Sequence, residues 1–463
     1  MVGDSIVAVG EVDPAPGDSV VDGGGLVLAP GFIDTHSHHD WGLDTLPAAL
    51  AAVSQGITTI IAGNDGGHPM PLAAALERLE RNPATVNVGF YAGHGTIRAA
   101  VMGENFRRPA RAGEIDSMAI LLARELDAGA LGLSTGLEYD PGIYSSRAEV
   151  LALAKVAAAK GGRYISHLRS EDRWFWDAID EIITIGREAK LPVQVSHLKL
   201  AMIGLWGMAD SLIAVLDQAR ASGVDITADI YPYPYWQSTL TVLFPKRDFE
   251  NRAEAEKILR EIATPEGLLI GDYAPNAQYR GKTVAEIAAL RREEPAVTLM
   301  ALIRDALAWQ RHHPSDPSNP SLESVVATSM SEPDIKKLIA WEHTNICSDG
   351  ALDGAHPRGY GAYPRVLRKY VREEQVFSLE GAVHRMTGLA ARHLGLEGRG
   401  VLANGARADL VLFDPATVAD RATPKEPHLM STGITRVWVN GETVYRDGAT
   451  TSARPGRVIT RSP

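Results

Sequence analysis

Short runs rich in Val, Ile and Leu recur between about residues 26 and 350, separated by stretches in which apolar residues return at helical spacing. Eight runs stand out: Gly31 to Asp34, Ile57 to Ile61, Val86 to Phe90, Ala130 to Leu133, Arg163 to Ser166, Val193 to Ser196, Ile226 to Ile230 and Thr344 to Cys347. Continuous apolar runs of this length, with helices between them, are the mark of parallel strands buried on both faces. The pattern predicts an α/β protein built on a (β/α)8 TIM-like barrel, with its chemistry at the C-terminal ends of the strands. Those ends are polar: His36-Ser-His38, Asn64-Asp65, His94, His167, His197, Tyr231 and Asp349.

The gap between the seventh and eighth runs is longer than a barrel needs. Residues 243–330 carry helical patterns over Arg252 to Ile262 and Val284 to Arg292, which predicts a lid or insertion, and the Pro-rich stretch His312 to Pro320 reads as a loop. After the barrel, Ala408 to Asp414 and Arg436 to Tyr445 alternate like strands, and Asn440-Gly441 suits a tight hairpin turn. Residues 1–28, with the run Ser5 to Val9, are expected to pair with residues 400–463 in a small β-sandwich domain formed from both termini. The barrel then spans residues 29–399.

Composition narrows the function. With 45% hydrophobic and 22% charged residues the chain has the profile of a soluble globular protein. No apolar run is long enough to span a bilayer, and the N-terminus lacks a basic start followed by an apolar segment, so a cytoplasmic protein without membrane partner is expected. The net charge of −11 argues against nucleic acid. The one cysteine, Cys347, has no partner for an internal disulfide, in keeping with a reducing compartment. Oligomeric state leaves no trace in the sequence.

His36-Ser-His38 places two imidazoles two residues apart at a strand end, where both face one side. Alone, such a pair fits either a metal chelate or a plain polar strand end. His167 and His197 end later strands in matching Ser-His settings, and Asp349 ends the last, so four histidines and a carboxylate converge on one rim.

At these residues the chain resembles the N-acyl-D-amino-acid deacylases (D-aminoacylases) of the amidohydrolase superfamily. The resemblance rests on Ala29 to Asp40, Gly132 to Gly142, Ser196 to Lys199, Asp229 to Tyr233, Ser348 to Gly350, His356 to Arg358 and Ala406 to Asp414. It implies a divalent metal, zinc first, as one or two ions. His167 and His197 would bind the tight ion and His36 and His38 a weaker one. Asp349 would be the catalytic acid/base, and Lys199, Tyr231 and Arg358 would hold the carboxylate of an N-acyl amino acid substrate. One departure stands out: the family's Asn-Cys-Gly is here Asn64-Asp65-Gly66. Asp65 replaces a soft thiolate with a hard carboxylate, which changes the metal preferred; a loop-capping role is the competing reading. The family's usual first strand also has no counterpart in the short N-terminus.

Two rival chemistries remain. Gly132-Leu-Ser-Thr-Gly136 matches a serine nucleophile elbow, but the following residues read as loop where an elbow needs a helix. A metal-dependent cyclic amidase, lactonase or dipeptidase would use the same barrel and metal with different loops.

Overall fold

The computed structural model describes residues 1–313 and 322–461. The stretch His312 to Pro320 read as a loop therefore lies, beyond His313, outside the described residues. The chain enters through β1 (Val27–Pro30) and then builds the barrel from β2 (Phe32–Asp34), β3 (Ile57–Ala62), β4 (Asn87–Phe90) with β5 (Ala92–Gly93), β6 (Gly132–Gly136), β7 (Arg163–His167), β8 (Val193–Val195) and β9 (Ile226–Ile230). Every residue of β3, Ile-Thr-Thr-Ile-Ile-Ala, is buried, as a β-branched strand with helices outside and a packed interior inside should be. The outer helices follow local rules. Ser146 caps the helix Arg147–Ala159 by accepting from the Glu149 N–H. The helix Phe175–Ala189 turns Ile179, Ile182 and Ile183 onto the sheet.

The insertion begins earlier than residue 243. Directly after β9 come β10 (Tyr235–Ser238), then β11 (Leu268–Tyr273) and β12 (Glu323–Thr328), which form a three-stranded antiparallel sheet in the order β10-β12-β11. Helices Arg252–Glu261, Val284–Arg291 and Pro295–His312 cover it. Leu243, Phe244, Ile258, Leu268, Leu299 and Val325 belong to a core separate from that of the barrel. The insertion is thus a small folded unit, and its inner side walls the cleft described below.

The last barrel strand is β13 (Thr344–Ile346), parallel to β9. Between β13 and β2 the ring is closed by hydrogen bonds just past the strand ends: the Asp349 N–H donates to His36 O (2.8 Å) and the His38 N–H to Gly350 O (2.8 Å). The Ser348 N–H donates to Asp34 Oδ1 (2.8 Å). Closure and functional rim are the same residues.

Beyond the barrel, β14 (Leu410–Phe413), β15 (Ile434–Val439), β16 (Glu442–Arg446) and β17 (Ala449–Thr450) join β1 in a five-stranded antiparallel sheet, order β1-β14-β15-β16-β17. Both ends of the chain contribute, with boundaries that differ from residues 1–28 and 400–463. The run Ser5 to Val9 gives no strand: Ser5 makes isolated bridges to Val2 and Arg407 and Ile6 is buried, while Val7, Ala8 and Val9 are exposed. At the C-terminus β18 (Val458–Ile459) leaves the small sheet and pairs in parallel with Val88 and Gly89 of β4. The third barrel strand therefore bonds the C-terminal tail along β4 and its neighbour β6 only through β5. Among the described residues no helix is long and apolar enough to cross a membrane.

Candidate metal and active site

The six strand-end residues singled out as metal-binding or catalytic meet at one point. Nε2 of His36 lies 3.4 Å from Asp65 Oδ2 and 3.5 Å from Asp349 Oδ1. Nε2 of His38 lies 3.3 and 3.2 Å from the same two oxygens. The other oxygen of Asp65, Oδ1, is 3.7 Å from His197 Nε2, which in turn is 3.0 Å from His167 Nδ1. Asp65 thus turns one oxygen to the His36–His38 pair and the other to the His167–His197 pair, and sits in both of the ligand-like groups that contain them.

The backbone is bent to this purpose. Asp65 (φ 53°), His197 (φ 36°) and Asp349 (φ 47°) all lie in the left-handed region. Such conformations cost an ordinary residue about 1–3 kcal/mol and persist where surrounding structure holds them. Here the His197 N–H is held by Asp229 Oδ1 at 2.6 Å, and the Asp349 N–H by His36 O at 2.8 Å.

The far sides of the rings are held by acids. Glu138 Oε2 is 3.1 Å from His167 Nε2, Glu171 Oε1 is 2.9 Å from His197 Nδ1, and Asp229 Oδ1 is 3.5 Å from His36 Nδ1. A carboxylate at the remote nitrogen fixes ring orientation and favours the tautomer whose near nitrogen offers its lone pair inward; at His197 the same Nδ1 also lies 2.7 Å from Lys199 Nζ.

Charge is concentrated in largely buried side chains. Burial alone would raise the Asp349 carboxyl, but the Arg358 guanidinium, Nη1 2.6 Å from Oδ2, and then His36 and His38 hold it well below the carboxylate range. Burial likewise opposes ionisation of Asp65, and the surrounding imidazoles overcome it. Burial disfavours a proton on His38, yet the Asp349 and Asp65 carboxylates beside it lift it to about 9. Such a cluster holds either protons or a metal cation.

The donor set passes a direct test for the latter. Nε2 of His36, Asp65 Oδ1 and Asp349 Oδ1, the atoms that face the cluster, are buried without a hydrogen-bond partner. A tetrahedral ion with bonds of about 2.0–2.1 Å needs ligand atoms about 3.3 Å apart. The spacings of 3.2 to 3.5 Å among His36, His38, Asp65 and Asp349 match that edge.

Lys199, Tyr231 and Arg358 line the same cleft, of about 900 Å³. Lys199 Nζ stands 5.9 Å and Arg358 Cζ 4.7 Å from the centre of the Tyr231 ring, whose hydroxyl is buried and unbonded. Both cations already have a carboxylate: Lys199 Nζ donates to Glu171 at 2.6 and 2.7 Å, and Arg358 to Asp349. Arg358 keeps its buried Nε unpaired.

Other polar strand ends stand apart. His94 pairs with Glu149 at 2.9 Å beside a fully buried Arg98. Ser134 of the Gly-x-Ser-x-Gly stretch is buried within β6 and its hydroxyl donates to the carbonyl of Gly63, so it is no exposed nucleophile. The sequence reading missed Glu138, Glu171 and Asp229. Asp229, the one charged residue of the fully buried strand Ile226–Ile230, carried a usable signal, and so did Glu138, inside the Gly132 to Gly142 stretch.

A model of the amidohydrolase family matches residues 19–264 and 272–445. The chain is 38% identical to an N-acyl-D-glutamate deacylase of Alcaligenes xylosoxydans xylosoxydans, over 99% of this chain and 91% of that protein. It is 34% identical to a D-aminoacylase of the same organism, over 99% of this chain and 93% of the other. The structure of an N-acyl-D-glutamate deacylase from Bordetella bronchiseptica, complexed with zinc and a phosphonate that mimics the tetrahedral intermediate, superimposes with a TM-score of 0.87 at 34% identity, covering 99% of this chain and 94% of that one. The chain belongs to the amidohydrolase family and, within it, to the family of the N-acyl-D-amino-acid deacylases.

Proposed function

We propose that this protein is a metal-dependent hydrolase that cleaves the amide bond of N-acyl-D-amino acids, releasing a carboxylic acid and a free D-amino acid. The observation that carries the reading is the double-faced Asp65, flanked by four histidines and Asp349, beside a cleft lined by Lys199, Tyr231 and Arg358. His36, His38, Asp65, His167 and His197 would hold zinc, as one ion or two. When bound, such an ion acidifies a water from pKa 15.7 toward about 7 and polarises the substrate carbonyl.

The chain's own residues do the rest. Asp349, kept ionised by Arg358 and the imidazoles, takes the proton of the attacking water and passes it to the amide nitrogen, so that the amine leaves neutral. Glu138, Glu171 and Asp229 keep the rings aimed inward. Tyr231, Arg358 and Lys199 orient the substrate carboxylate, which shares Arg358 with Asp349 and Lys199 with Glu171. The buried, unpaired thiol of Cys347 suits the reducing cytoplasm.

The test is amine release from paired N-acetyl-D- and N-acetyl-L-amino acids by protein of known metal content, with a chelated control. Release confined to the D series and lost on chelation supports the reading. Release from neither series by metal-loaded protein contradicts it and points to cyclic amides, lactones or dipeptides.

A further inference from the structure

Family membership leaves the amino-acid side chain open, and the wall that the insertion presents to the cleft speaks to it. Trp236, Leu243, Ile262 and Tyr273 line the cleft from that side. The two aromatic residues spend their polar atoms inside the protein: Trp236 Nε1 donates to Ser329 Oγ at 2.6 Å and the Tyr273 hydroxyl to Leu302 O at 2.9 Å. What remains of these four side chains for a ligand is ring and aliphatic surface, beside the polar Gln237, Ser238 and Thr239.

The charged groups on that wall have the wrong sign for an acidic ligand. Glu323 is 5% exposed and its carboxylate accepts from the Leu240 N–H at 2.8 and 2.9 Å. Asp272 and Asp353 also face the cleft. Among the described lining residues, the long cations besides Lys199 and Arg358 reduce to Arg280, which is 58% exposed and stands 3.7 Å from Asp272. His428 uses its Nε2 on Gly354 O at 2.9 Å. A second carboxylate on the substrate would therefore enter a cleft whose two buried cations are committed to the first.

Resting on the deacylase reading, we infer that the enzyme is specific for N-acyl-D-amino acids with apolar side chains, and that the insertion wall of Trp236, Leu243, Ile262 and Tyr273 with Asp272 excludes D-glutamate and D-aspartate. The two halves of the discrimination act differently. The apolar wall rewards a leucine-sized group through burial, at about 0.8 kcal/mol per methylene. Asp272 and Asp353 penalise a second carboxylate, which would be desolvated beside like charge with no partner.

The test is kcat/KM of the zinc-loaded full-length enzyme for the N-acetyl derivatives of D-leucine, D-glutamine and D-glutamate, the last two being nearly isosteric. D-leucine is expected at least 100-fold above D-glutamate, and D-glutamine at least 10-fold above it. Asp272→Asn should narrow the glutamine-to-glutamate ratio several-fold, with an unchanged circular dichroism spectrum and metal content; an unchanged ratio overturns the role given to Asp272. D-glutamate cleaved as well as D-glutamine overturns the inference while leaving the deacylase reading intact. Cleavage of no N-acyl-D-amino acid of any class overturns both.

Discussion

Replacing Asp65 by Asn removes a unit charge from the point where three imidazoles converge and changes little else. Asn tolerates the left-handed backbone of residue 65 as well as Asp does, so the loop should keep its path. Oδ2 of Asp65 lies 3.4 Å from His36 Nε2 and 3.3 Å from His38 Nε2, and Oδ1 lies 3.7 Å from His197 Nε2. Metal-binding imidazoles are neutral, so the charge that Asp65 would face is that of the ion they hold; at an effective dielectric constant of about 20, a unit charge about 3.4 Å from another contributes about 5 kcal/mol. Asn escapes the cost of burying the carboxylate, which returns part of this, so a net loss of about 3–4 kcal/mol is expected, or about 10²–10³ in zinc affinity. The assay is competition for zinc against a chromophoric chelator, with bound metal counted by mass spectrometry. Asp65→Cys, which restores an anionic donor, should bind zinc within about tenfold of the original, because thiolate is a good zinc ligand. An Asp65→Asn protein that binds zinc within threefold of the original would remove Asp65 from the metal site and return it to a loop-capping role.

Three further outcomes are expected. Asp349→Asn should retain metal while kcat falls by about 10²–10⁴, the usual contribution of a general base; near-normal turnover would take Asp349 out of the proton path. Arg98→Met should destabilise the protein by about 3–5 kcal/mol in urea denaturation, since it strands the buried Glu149 that Arg98 and His94 share; a loss under 1 kcal/mol would contradict that. Burial raises Glu323 from 4.5 to about 7. The folded state therefore holds its proton more tightly, and the stability this gives is full below about pH 4.5 and lost as pH rises through about 7, a change of at most about 3 kcal/mol. Glu323→Gln should lack that slope, and melting curves of the two proteins that stay parallel from pH 4.5 to 7.5 would refute it.

Much of this architecture was legible because parallel strands buried on both faces leave continuous apolar runs, as in Ile57–Ala62 and Ile226–Ile230. The histidines and Asp349 were legible because they end those runs. The sheet of the insertion was not: β10 pairs with β12, whose residues lie about 90 positions further on, and no local pattern records such a partner. The tail strand Val458–Ile459 is equally silent, since two residues become a strand only through pairing with Val88 and Gly89. Lys199 and Arg358 were legible as cations in the cleft, but not as cations already bound to Glu171 and Asp349, because the first pair forms across the loops after β7 and β8 and the second where the segment after β13 folds back on itself. Glu171 carries no motif of its own; its place is fixed by the loop after β7.

The most direct test of the account is to strip the protein of metal and titrate zinc back while measuring amine release from N-acetyl-D-leucine and its L enantiomer. The account predicts no release without metal, recovery that saturates at one or two zinc ions per chain, and cleavage of the D substrate alone. Activity that survives complete removal of metal, or equal cleavage of both enantiomers, would contradict it.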